Sequence, residues 1–111
     1  MQIWIASRKL AKLFNSQEEM RAKLGPRCAQ LLQQRLEELQ AAATLEDMGA
    51  LPTARCHEMK ANRKSQLALD LDRVRWLVFE PVHRPVPSKH DDRLDWSMVT
   101  EIVIREVIDH A

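Results

Sequence analysis

The sequence predicts an α+β domain in which an N-terminal strand and two or three helices pack on one face of a small, mainly antiparallel sheet. Two observations carry that prediction. Up to Pro52 the apolar residues recur at spacings of three and four between capping signals, whereas beyond it the spacing falls to two. The 111 residues are 45% apolar and 30% charged, which suits one core and a single domain over 1–111.

The elements follow in order. Ile3, Trp4 and Ile5 form a short β-prone run, and Ser7 can cap a helix over Arg8 to Phe14. Asn15 or Ser16 can cap a second helix through Leu24, with Glu18 and Glu19 in its first turn, where the helix dipole favours negative charge. Gly25 suits the left-handed end of that helix and Pro26 the first turn of the next. From Pro26 to Ala43 the residues Cys28, Leu31, Leu32, Leu36, Leu39 and Ala43 make one apolar stripe, with glutamines and glutamates opposite. Thr44, Glu46 and Asp47 announce a short capped turn ending near Gly49.

Leu67, Leu69 and Leu71 alternate with Gln66, Ala68 and Asp70, and Val74, Trp76 and Val78 alternate with Arg75, Leu77 and Phe79. These are two antiparallel strands joined near Asp72 and Arg73. Val99 to Ile108 is a third, with Ile102, Ile104 and Ile108 on one side, Val103, Arg105 and Val107 on the other, and burial expected on both. Between them Glu80 to Trp96, with three prolines and mixed charges, is expected to be irregular.

Composition excludes several classes. Seventeen Lys and Arg against sixteen Asp and Glu leave +1, far from the footprint of a general nucleic-acid coat protein. No apolar run approaches the roughly 18 to 20 residues of a membrane span, and the first residues lack the pattern of a secretory signal, so the cytoplasm is expected. Cys28 and Cys56 have no CxxC spacing and are expected to be reduced. The histidines at 57, 83, 90 and 110 have no zinc-like spacing with them, and no metal or other cofactor is expected.

The charge is unevenly distributed: residues 55–75 carry six basic and three acidic groups, +3, whereas residues 80–111 carry four and seven, −3. Arginine and lysine on the middle strands could grip phosphate and stabilise charge developing on it, or they could be ordinary solvated residues. His57 sits beside that cluster, and histidine is the side-chain type best suited to moving a proton near neutrality. His110, after Asp109, is a second candidate, and each could equally be a packing or terminal residue.

A longer pattern is visible in the same region. The run Arg55-Cys56-His57-Glu58-Met59-Lys60-Ala61-Asn62-Arg63-Lys64-Ser65-Gln66 is followed by the alternating leucines, the block Val78 to Pro81, the block Leu94 to Ser97 and a final strand ending at Asp109. With the Gly25–Gln40 break and helix, these resemble the HigB-type toxins of the RelE/ParE superfamily over nearly the whole chain. The resemblance implies a RelE-like fold and the toxin half of a type II toxin-antitoxin pair. Such a toxin is most often a ribosome-dependent endoribonuclease whose partner is a helix-turn-helix antitoxin of the HigA kind, with operator DNA engaged only through the antitoxin. In such enzymes the RNA 2′-hydroxyl attacks the adjacent phosphate without a metal.

Carried over by position, His57 matches the family histidine, and Lys60 and Arg63 match the cations of its Lys-Gly-x-Arg pattern. Arg75 is expected to contact phosphate with them, and Arg55, Lys64 and Arg73 to bind RNA. The chain departs from the pattern in four places. Ala61 and Ser65 stand where glycines are common. Trp76 stands where a family arginine falls, with Arg75 one residue away and on the opposite face. Asp109 is followed by His110 and Ala111 rather than by tyrosine and histidine, so His110 either replaces the tyrosine or takes over the catalytic role. A non-catalytic protein of the same fold that binds an antitoxin or DNA gyrase is the alternative, because fold alone does not choose a function.

Overall fold

The computed structural model describes residues 1–60 and 65–109. Arg63, Lys64 and His110 therefore lie outside the described residues. Among the described residues the chain forms one five-stranded sheet with four helices on one face. In chain order the elements are β1 (Gln2–Ile5), α1 (Arg8–Phe14), α2 (Gln17–Leu24), α3 (Pro26–Ala41), α4 (Leu45–Gly49), β2 (His57–Glu58), β3 (Leu67–Asp70), β4 (Arg75–Pro81) and β5 (Glu101–Asp109). The strand order is β1-β5-β4-β3-β2. β1 runs parallel to β5 and every other neighbouring pair is antiparallel. The architecture is the α+β class expected, and the short capped turn of helix expected to end near Gly49 is α4, a fourth helix.

Local chemistry sets the helix boundaries. The Ser7 hydroxyl accepts the Leu10 N–H at 3.1 Å and the Ser16 hydroxyl accepts that of Glu19 at 3.2 Å, each satisfying a donor the helix cannot. Gly25, at φ +83°, ends α2 and begins α3, with Pro26 at the first helical position. Asp47 accepts the Ala43 N–H at 2.9 Å at the start of α4.

The core lies between the helices and one face of the sheet. Met20, Leu32, Leu39 and Met48 from the helices meet Leu67, Leu69, Leu77, Phe79, Ile102 and Ile104 from the strands, all fully buried. At about 1.5–3 kcal/mol for each large apolar side chain removed from water, this contact is what holds the helices to the sheet.

Three expectations are corrected. In β5 the register jumps from Val78↔Glu106 to Phe79↔Ile104, a bulge at Arg105 that shifts the alternation by one residue. Beyond it Val107, not Ile108, packs against the core. The strand is also not buried on both faces, since Arg105 is exposed and Val103, Glu106 and Ile108 are half-buried. The segment taken as irregular from Glu80 is partly ordered: β4 runs on through Pro81, Ser88 bridges Leu94, and Trp96–Met98 form a turn of 3-10 helix. Trp96 packs against the core and its indole N–H donates to Glu58 at 3.0 Å, which ties this segment to β2. Among the described residues no helix is long and apolar enough to cross a membrane.

Candidate active site

Because Leu67, Leu69, Leu77 and Phe79 face the helices, the residues between them face away, and the sheet has a second, open face. His57 lies opposite Ala68, Ala68 opposite Val78, and Asp70 opposite Trp76, so these side chains share that open face. The His57 ring meets the Trp76 ring edge-on, with centroids 4.8 Å apart and planes at 73°. Ala68 and Val78, fully buried, form the floor beside them.

β2 is only two residues long, so its position is fixed mainly by the segment before it. Asp70 donates its N–H to the Ala54 carbonyl at 2.8 Å. Arg55 then takes a left-handed backbone conformation, φ +45°, uncommon for a side-chain-bearing residue. Its carbonyl lies 2.8 Å from His57 Nδ1, and its guanidinium grips both Asp70 oxygens at 2.8 and 3.3 Å. A carbonyl can only accept, so Nδ1 carries the proton and Nε2 is the ring nitrogen left to take one up. Lys60, two residues beyond β2, is exposed.

Arg75 does not join this group. It points to the helix side, where its guanidinium donates to the Leu24 carbonyl at 3.0 Å and pairs with Asp72 and Asp109, both at 3.3 Å. The Cys28 thiol lies against it, and burial raises that thiol above its ordinary range. The reason is the alternation itself, since Arg75 is two residues before Leu77 and shares its face. Arg75 is thus a clamp joining α2, α3, the β3–β4 turn and the end of β5. Arg75→Ala is expected to destabilise the fold by about 2 kcal/mol in urea unfolding, mainly through the orphaned Leu24 carbonyl and the counter-charge lost by the half-buried Asp72, since Asp109 is largely solvated. Arg73 is exposed in the β3–β4 turn, where it lines a groove with Arg27 of α3, away from His57.

Compared with protein-family models, curated proteins and solved structures, the chain matches none.

The most deeply buried charge in the neighbourhood does not stand out in the sequence. Arg35 of α3, 3% exposed, donates to the Asp70 carbonyl at 2.8 Å and the Thr53 carbonyl at 3.0 Å, and pairs with Glu38 at 2.9 Å. It holds from beneath the two segments that carry Arg55 and Asp70. A signal is nonetheless present, since Arg35 stands three residues after Leu32 and four before Leu39, inside the buried stripe.

Neither cysteine is a nucleophile at neutral pH. Both are free, and burial, followed by the charge of Glu58, pushes the Cys56 thiol from 9.0 up to about 12. Below pH 9 that thiol keeps its proton in folded and unfolded chains alike. Above it the unfolded chain ionises first and is favoured, so stability should fall as pH rises from 9 to about 12. Urea midpoints across that window should drop less in Cys56→Ala than in the parent.

Proposed function

We propose that this protein is the toxin component of a bacterial type II toxin-antitoxin pair, a metal-independent endoribonuclease that cuts mRNA on the ribosome in the cytoplasm. The observation that carries the reading is His57 on the open face of the sheet, its Nδ1 proton held by the Arg55 carbonyl and its ring set against Trp76. The resemblance of Arg55 to Gln66 to the HigB-type pattern gives that histidine its role.

In this reading Nε2 of His57 accepts the proton of an RNA 2′-hydroxyl as its oxygen attacks the neighbouring phosphorus. The bond to the 5′-oxygen breaks, leaving a 2′,3′-cyclic phosphate and a 5′-hydroxyl. Lys60 and Arg63, with Arg55 and Lys64 nearby in sequence, supply positive charge to the phosphate. His110 is the candidate to return a proton to the departing oxygen. The ribosome supplies much of the alignment of the mRNA, so a shallow face suffices. The partner is a helix-turn-helix antitoxin of the HigA kind.

One observation favours a second reading. With Arg75 turned to the helices and Trp76 where the family has arginine, the open face carries fewer cations than the pattern calls for. A protein of this fold that binds an antitoxin or DNA gyrase without cutting RNA would tolerate that loss. Primer extension on mRNA from translating ribosomes, run beside a gyrase supercoiling assay, separates the two. New 5′ ends within codons support the nuclease; inhibited supercoiling with intact mRNA supports the alternative.

A further inference from the structure

We propose that Trp4 is a stacking platform for one unpaired base of a single-stranded RNA, at the opposite edge of the same sheet face from His57. The proposal rests on the reading of that face as one that handles RNA, and extends it to a second site. Ile3 and Ile5 pack inward against the core, so the strand period forces Trp4 outward, where it is 51% exposed. Its indole N–H donates to the Glu101 carboxylate, which holds the ring in one orientation. Around it lies an open hollow of about 470 Å³ whose walls include Pro81, Val82 and Val103 and whose rim carries Arg84 and Arg105.

Three features favour a nucleotide as the occupant. A fixed, exposed indole offers a π-face that every base can stack on. Arg84, whose guanidinium donates to the Pro81 and His83 carbonyls, and Arg105 line the hollow and give it positive charge for a sugar-phosphate chain. The strand order puts Trp4 and His57 on the outermost strands, four inter-strand steps of about 4.8 Å apart, so an extended strand of RNA lying across the sheet could touch both. Charge is not the main attraction. Arg105 pairs with Glu80 at 3.6 Å, and Arg84 and Glu101 balance, so stacking must supply most of the affinity.

The test is fluorescence anisotropy of a short, labelled single-stranded RNA with the whole protein in a His57→Ala background, which prevents cutting. Trp4→Ala is expected to weaken binding about tenfold, and Trp4→Phe, which keeps a ring, to retain most of the affinity. Equal binding by the parent and Trp4→Ala overturns the platform. So does a parent that binds no RNA while the wild type still cuts mRNA on ribosomes, an outcome that leaves the nuclease standing. Trp4-dependent binding without any cutting keeps the platform and rejects the nuclease. If Trp4→Ala instead dissociates a dimer and leaves RNA binding unchanged, this face is a protein interface and the proposal falls.

Discussion

Arg35→Met is expected to lower the unfolding free energy by about 3 kcal/mol, a larger loss than truncation of Arg75 brings. The methionine fills most of the space but donates nothing, so the Asp70 and Thr53 carbonyls lose their partners and Glu38 its counter-charge. For a domain of this size that corresponds to a fall in Tm on the order of 10 °C. Arg35→Lys should recover only part of the loss, because one ammonium cannot reproduce a fork that reaches two carbonyls and a carboxylate at once. Glu38→Gln should cost far less, since that partner is partly solvated. Urea unfolding of the three variants checks the order. A fully stable Arg35→Met would mean that the segments bearing Arg55 and Asp70 are held by the rest of the sheet alone.

His57→Ala is expected to reduce mRNA cutting on translating ribosomes by about 10²–10⁴-fold, the usual contribution of a positioned proton acceptor. The folded state should scarcely notice, because the ring's described contacts are the Arg55 carbonyl and the edge of Trp76. Unchanged urea midpoints with lost cutting would place the effect in the chemistry. Undiminished cutting by His57→Ala would remove the imidazole from the mechanism and pass the role of base to another group.

What the sequence reveals of the fold tracks how local each cause is. The starts of α1 and α2 and the Gly25–Pro26 junction are readable because each depends on a hydroxyl, a φ angle or a ring within three residues. The bulge at Arg105 is not, since it arises from how β5 meets β4, some twenty-five residues away in sequence. β2 is not legible from periodicity, because two residues are too few to show a period; only the resemblance puts His57 on a strand. Of the site, His57 is readable from its basic surroundings and the orientation of Arg75 from its spacing to Leu77. The Arg55–Asp70 grip needs the left-handed turn at Arg55, which no residue type announces. Arg35 is easily overlooked because the apolar spacing of α3 reads as complete without it; only its place between Leu32 and Leu39 marks it as buried.

The placement of β5 has a consequence for biosynthesis. β5 sits between β1 and β4, so until it has been synthesised β1 has nothing to pair against and one flank of β4 is bare. Closure of the sheet joins segments about a hundred residues apart, a step that must wait until Glu101–Asp109 has been made. A product truncated before Glu101 therefore cannot close the sheet, and the face that carries His57 and Trp76 is assembled only after β5 is present.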